Sequence, residues 1–350
     1  MKEFKIGKRK VGGDNPVFIV AELSGNHRQK FSLAVKTIRA IKRAGADAVK
    51  LQTYTPETIT LKSSQPHFKI KQGTIWDGRT LHQLYQETYT PWEWQPKLKR
   101  LAEKMGLICF SSPFDAKAVD FLAKLKMPAY KVASFEITDL PLIEYLARKN
   151  KPVLISTGIA RAGDITRALK VCHKVGNRQV ALLQCTSAYP APLEQANLLT
   201  LPALKRRFKT VIGLSDHTLE VEPAVAAVAL GAKIIEKHFI LERSLGGADA
   251  PFSLEPKEFS TLVSSVRKAE KALGKVSFSL SAQAKRSREF SRSLFVVEDM
   301  VAGEAFSLKS VRSIRPGFGL PPRFLNDILR KRAARAIKKG TPLSWGLIKS

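Results

Sequence analysis

The strongest constraint on this 350-residue chain is an alternation that repeats eight times. Apolar, β-rich runs stand at 17–22, 47–52, 107–112, 129–134, 152–157, 179–186, 210–215 and 233–239. Most stretches between them carry apolar residues at i, i+3, i+4 and i+7, as in SLAVKTIRAIKRAG at 32–45 and AVDFLAKLK at 118–126, and EPKEFSTLVSSVRKAEKALG at 255–274 follows the last run. That spacing lines one face of a helix, whereas a short apolar run bounded by turns suits a strand buried on both sides. Eight strand–helix repeats over about 250 residues predict a (β/α)8 TIM barrel. An open doubly wound sheet would carry a glycine-rich phosphate turn after its first strand, and AELSGNH at 21–27 is not one. The barrel domain is expected over 1–278, opening with a hairpin at 1–16. A polar, aperiodic linker follows at 279–291, and short strand-like runs predict a small β-rich domain at 292–350. A domain of that size needs support from the barrel or from another subunit.

Composition narrows the function. A hydrophobic content of 44% excludes a disordered chain, and no apolar run is long enough to span a membrane. The N-terminus, MKEFKIGKRK, has no apolar segment behind its charges, so no secretion signal is expected. Cys109, Cys172 and Cys185 form no CxxC pair and read as reduced thiols of a cytoplasmic protein. The net charge of +29 raises a nucleic acid or other polyanion as partner, the reading of a non-catalytic binder. Yet Lys and Arg are interleaved with apolar positions at helical spacing, as in KLKRLAEK and RKRAARAIKK, and no zinc-finger or RNA-binding strand motif occurs. The charge therefore reads as solvated helix faces and as attraction for an anionic substrate.

Barrel enzymes place their chemistry at the carboxyl ends of the strands. Here those ends carry Glu22, Asn26 and His27, then Lys50 and Gln52, then Ser111 and Ser112, then Lys131, Ser134 and Glu136. They continue with Ser156 and Thr157, with Gln184, Thr186, Ser187 and Tyr189, and with Ser215, His217, Glu236 and His238. Singly, each has an ordinary structural explanation, such as a helix cap or a core histidine. Together they do not, because charge inside a barrel is costly unless it serves a ligand. Lys50 and Lys131, with the serine hydroxyls, describe a cradle for phosphate or carboxylate. Glu22, Glu136 and Asp249 suit sugar hydroxyls or proton transfer. Two strand-end histidines, His217 and His238, suit a divalent metal with open positions that polarises a carbonyl. The combination points to carbon–carbon bond formation between a phosphorylated three-carbon unit and an aldehyde. The 53–91 segment, too long for a simple loop and rich in aromatics together with Trp92 and Trp94, reads as a substrate cover.

Ordered motifs along the whole chain resemble the sialic-acid-type nonulosonate synthases: AELSGNH, AVKLQTY, SSPFD, YKVASFE, ISTG, CTSAYPAP, GLSDHT, EKHF and SIRPGFGLPP. The resemblance implies a TIM barrel with a C-terminal antifreeze-like (SAF) domain, and a homodimer in which that domain closes the partner subunit's site. It implies condensation of phosphoenolpyruvate with the open-chain aldehyde of an acylated amino sugar, with release of phosphate. By position, Lys50, Ser112, Lys131, Ser134, Ser156, Ser187 and Ser215 would hold phosphoenolpyruvate. Glu22, Gln52, Glu136, Tyr189 and Asp249 would meet the sugar or the reacting centre, and Arg315 would reach the sugar across the dimer. His217 and His238 would hold Mn2+, with Mg2+ or Co2+ as alternatives. Sialic and legionaminic members usually show KIGSGE where this chain has KVASFE. That change and the segments at 76–94 and 245–256 resemble the branch acting on 6-deoxy sugars. Arg28-Gln29 stands where the family commonly has Asn-Gly.

Overall fold

A computed structural model describes residues 3–349. It divides into two compact units, with the boundary after Gly274. In the first, eight parallel strands close into a barrel: β3 (Phe18–Glu22), β4 (Ala48–Thr53), β5 (Ile108–Pro113), β6 (Tyr130–Val132), β7 (Val153–Ser156), β8 (Val180–Cys185), β9 (Val211–Asp216) and β10 (Ile234–His238). The ring closes where β10 pairs with β3, setting His238 opposite Glu22. All eight runs expected from the sequence are strands, each followed by a helix on the outside. Two of those helices start on side-chain caps: Asp115 accepts from the Ala118 N–H at 2.7 Å, and Asp139 from the Leu142 N–H at 3.0 Å.

The period of two along each strand sorts its residues between two cores. Ile19 and Ala21, Val49 and Leu51, Leu182, and Ile235 pack outward against the helices. Phe18 and Val20, Ala48, Phe110, Leu154, Leu183 and Ile234 fill the barrel's interior. That inner core is closed at one end by the N-terminal hairpin of β1 (Glu3–Ile6) and β2 (Arg9–Gly12), whose Phe4, Ile6 and Val11 join it. Arg9 fixes the hairpin by pairing with Asp47 at 2.9 Å, while Asp47 also accepts from the Ile19 N–H at 2.9 Å. Apolar side chains therefore fill the amino-terminal half of the interior. The next inward positions along the same strands are polar.

The second unit carries the segment expected as linker, with a short helix at Ala282–Ser287, and then an antiparallel pair, β11 (Ser293–Val296) with β12 (Val311–Ile314). Leu294, Val296, Met300, Phe306, Val311 and Ile328 are among the residues of its own small core. The three cysteines are unpaired and buried, and no helix among the described residues is long and apolar enough to cross a membrane.

Candidate active site

Continuing the inward alternation by one step gives Glu22, Lys50, Ser112, Lys131, Ser156, Cys185, Ser215 and Glu236, all buried. They form one layer across the carboxyl half of the barrel. Lys50 Nζ lies 2.5 Å from Glu22 and donates to Glu236 at 2.9 Å. Lys131 Nζ donates to Ser156 Oγ at 2.7 Å and to the Val132 carbonyl at 3.1 Å, and stands 3.7 Å from Glu236. Ser215 Oγ completes the group by donating to Glu236 at 3.0 Å. Burial favours a neutral Glu236, but Lys131 and Lys50 outweigh it and bring its pKa down to about 2. Burial brings the Lys50 pKa down to about 8 against the pull of Glu236. Each ammonium has three donors. The partners just named leave each one a donor for an incoming anion.

A second group of hydroxyls adjoins this layer. Ser187 Oγ donates to Ser134 Oγ at 2.8 Å, and Ser134 Oγ accepts from the Ile159 N–H at 3.1 Å. Gly158 has no room for a side chain here: a Cβ would collide with both serine hydroxyls. Ser112 Oγ is buried without a hydrogen-bond partner among the described residues, as are Glu236 Oε2, Glu136 Oε2 and His238 Nδ1. Unpaired polar atoms at such depth are costly, and their convergence on one rim marks a ligand site.

His217 and His238 face one another with ring centroids 5.4 Å apart. His217 Nδ1 lies 2.8 Å from the Thr186 carbonyl, which fixes the proton there and leaves Nε2 as a lone-pair donor. Burial lowers the pKa of His238 well below its usual value, with His217 and Lys50 adding to the effect, so its ring is neutral. For His217, burial works in the same direction but is outweighed by the Cys185 sulfur, 3.8 Å away, and by the Thr186 carbonyl. A neutral ring beside a fixed-tautomer ring, with an unpartnered nitrogen, fits a divalent cation, and two ligands leave positions for substrate oxygens. On the other face of the same strand ends, Lys237 is fully buried and bonded to Asp216 at 2.5 Å, Thr218 at 3.1 Å and the Glu220 carbonyl at 2.9 Å. That ion pair ties β9 to β10 immediately behind the two imidazoles.

Above the rim lies a cavity of about 220 Å3, lined among others by Gln52, Trp76, Glu136, Tyr189, His238, Asp249 and Phe252. Tyr189 packs on His217 at 4.5 Å and on Phe252 at 5.1 Å, and Trp76 extends this wall at 5.4 Å from Tyr189. Gln52 donates to Ser24 Oγ at 3.1 Å, and Asp249 accepts from the Gly25 N–H at 3.2 Å. Burial pushes Glu136 up to about 7, with Lys131 opposing, and also raises Asp249.

The structure thus gathers most of the sequence-derived residues of the first unit on one rim, at different depths, while Ser111 and Gln184 turn away from it to Thr53 Oγ1 and the Ala196 carbonyl. Glu22 is enclosed against Lys50, whereas Glu136 faces the cavity. Arg315 is exposed on the second unit. Asn26 and His27 sit behind the rim. Asn26 donates to the Phe239 carbonyl at 3.0 Å, and His27 lies 3.1 Å from Thr90 Oγ1. Sequence reasoning assigned no role to Glu236, the shared counter-ion, although its two-residue offset from His238 puts both on one face.

A carboxyl group raised by burial has a definite pH signature. Below its unfolded pKa both states hold the proton. Between that value and about 7 only the unfolded state ionises, so stability falls as pH rises through this window and the loss is complete above it. Glu136→Gln is therefore expected to unfold at a higher temperature than the parent at pH 8, with a gain of about 1–3 kcal/mol, while losing turnover. The difference should vanish near pH 4, as thermal melts at both pH values would show.

Comparison with known proteins places these features in a family. Residues 37–278 match the NeuB family and residues 291–349 the SAF domain. The chain is 43% identical to the pseudaminic acid synthase of Campylobacter jejuni strain NCTC 11168 over 95% of this chain and 97% of that one. It is 45% identical to the pseudaminic acid synthase of Helicobacter pylori, over 94% and 97%. The N,N'-diacetyllegionaminic acid synthase of the same Campylobacter strain is more distant, at 34% over 92% and 97%. Among solved structures, the N-acetylneuraminic acid synthetase of Leptospira borgpetersenii superposes with a TM-score of 0.73 at 31% identity, over 82% of this chain and 95% of that one. The chain belongs to the NeuB family, with a SAF domain at its C-terminal end.

Proposed function

We propose that the chain is a pseudaminic acid synthase. It condenses phosphoenolpyruvate with the open-chain aldehyde of 2,4-diacetamido-2,4,6-trideoxy-β-L-altropyranose and water, giving pseudaminic acid and phosphate. The observation that carries this reading is the likeness, along nearly the whole chain, to proteins of that name. The rim supports it, because an anion cradle there adjoins an aromatic-walled cavity.

Phosphoenolpyruvate takes the remaining donors of Lys50 and Lys131 and the hydroxyls of Ser112, Ser134, Ser156, Ser187 and Ser215. Charge on its carboxylate and phosphate is then matched throughout the reaction without reorganisation. The sugar lies in the cavity above, with Gln52, Tyr189 and Asp249 on its polar groups and Trp76 and Phe252 against its methyl. His217 and His238 would hold a divalent ion, Mn2+ in the first instance, and that ion would supply Lewis-acid polarisation of the aldehyde oxygen. The enol carbon bonds to the aldehyde carbon, whose oxygen takes a proton to become a hydroxyl, leaving cationic character at carbon 2. Water adds to that carbon and gives its proton to Glu136, whose raised pKa suits a base near neutrality. The carbon–oxygen bond to phosphate then breaks and phosphate departs with the electron pair. The added hydroxyl passes its proton to the phosphate and becomes the ketone carbonyl, and Glu136 returns to solvent the equivalent of the proton that the aldehyde oxygen took. Glu22 keeps Lys50 in place. The unpaired thiols accord with a cytoplasmic enzyme.

The deciding assay measures phosphate release from phosphoenolpyruvate with the trideoxy sugar, its legionaminic counterpart and N-acetylmannosamine. Turnover with the first should exceed the others by at least tenfold in kcat/KM, stop with a chelator and return with Mn2+. Equal or greater turnover of N-acetylmannosamine would reject the assignment.

The same reading makes the active species a homodimer in which Arg315 meets the partner subunit's sugar. Arg315→Ala and His217→Ala should each be inactive alone, yet regain activity when mixed and allowed to exchange subunits, because one mixed site then has both parts intact. Absence of complementation in a demonstrated heterodimer would remove Arg315 from that role.

A further inference from the structure

The loop joining β3 to the helix Phe31–Arg43 holds three non-glycine residues in the left-handed region: Ser24, Arg28 and Gln29, with φ of 47°, 46° and 52°. A side chain there costs on the order of 1–2 kcal/mol per residue. Asn-Gly would fill positions 28 and 29 at less cost. What Arg28 and Gln29 provide in return is visible in their contacts. Both are exposed, and each reaches a different loop. Arg28 Nη1 donates to the Leu245 carbonyl, and its side chain lies along Gly246 and Gly247, where an added Cβ would meet Arg28 Nη1 at 3.4 Å and Cγ at 3.8 Å. Gln29 Nε2 donates to the Tyr89 carbonyl at 2.6 Å and to the Glu87 carbonyl at 3.3 Å.

These two loops supply the outer wall of the cavity. One carries Asp249 and Phe252; the other carries Trp76, Leu84 and Tyr85. They meet at one described hydrogen bond, from Trp76 Nε1 to the Ala248 carbonyl at 3.0 Å, and at the edge-on contact of Trp76 with Phe252 at 6.3 Å. Short helices and turns such as Leu81–Thr88 and Ala250–Phe252 open more readily than the barrel beneath them, so their spacing depends on such ties. A cavity only about 220 Å3 in volume changes shape appreciably if one wall moves by an ångström.

We propose that Arg28 and Gln29 are a positioning pair. They staple the 245–252 loop and the 76–89 segment to one rigid turn, and thereby set the gap that selects a methyl over a hydroxyl at the sugar's terminal carbon. This rests on the sugar assignment above. Neither residue touches the reacting atoms.

The test is the double variant Arg28→Asn, Gln29→Gly, which removes both staples and relieves the left-handed side chains. Its melting temperature should equal or exceed the parent's. The KM for the trideoxy sugar should rise about tenfold and preference over N-acetylmannosamine should fall by a similar factor, with KM for phosphoenolpyruvate unchanged. Limited proteolysis of the substrate-free protein should cut faster within residues 61–79. A sugar KM and preference within twofold of the parent would overturn the proposal, as would an equal rise in both KM values. If the parent itself ignores the trideoxy sugar, the sugar assignment fails. The proteolysis rate then decides the staple alone, and an unchanged rate refutes it.

Discussion

Four charged side chains buried inside a barrel are the interaction on which the rest of this structure depends. An ammonium or carboxylate taken from water without a partner costs many kilocalories per mole. Here Lys50 and Lys131 are answered by Glu22 and Glu236, so the opposite charges of the layer balance within it. The arrangement also defines what the layer can receive. Each lysine keeps a donor in hand, the serines stand around them, and Ser112 Oγ has no partner among the described residues. A doubly anionic small molecule completes such a set better than any neutral one.

Everything else holds that layer in place or shapes the space above it. Apolar inward residues and the N-terminal hairpin plug the barrel beneath. The Lys237–Asp216 pair locks the strands that carry the two histidines, from the face opposite the substrate. The aromatic wall of Tyr189, Phe252 and Trp76 separates the imidazoles from solvent while offering a sugar an apolar face. Carbon–carbon bond formation from an enol phosphate needs these properties together: fixed charge at one end, a polarised aldehyde at the other and little competing water between.

Much of this was legible in the sequence, for a physical reason. In a parallel barrel each strand is short, apolar and buried on both faces, and the polar residue that ends it stands out. Lys50, Lys131, His217 and His238 were found in that way. Pairing between them was not legible, because it is created by ring closure. Glu22 and Glu236 lie at opposite ends of the barrel sequence and meet only because β3 pairs with β10. The aromatic cluster shows the same limit. Trp76 and Tyr85 line the cavity, whereas Trp92 packs on Phe121 at 4.8 Å and Trp94 on His27 at 5.5 Å, anchoring the segment to the barrel body. Composition groups these residues together, and only the path of the chain separates wall from anchor. Arg28-Gln29, a departure from the family pattern in sequence, acquires a purpose once its two loops are seen.

The central claim is that the buried lysines are held by carboxylates and are available to a phosphorylated acid. Calorimetric titration of phosphoenolpyruvate, without sugar, into the parent protein and into Lys50→Met and Lys131→Met tests it most directly. The account predicts saturable binding to the parent and a loss of at least a hundredfold in affinity in each variant, with circular dichroism confirming that both remain folded. Undiminished binding to a folded Lys50→Met or Lys131→Met protein would contradict it.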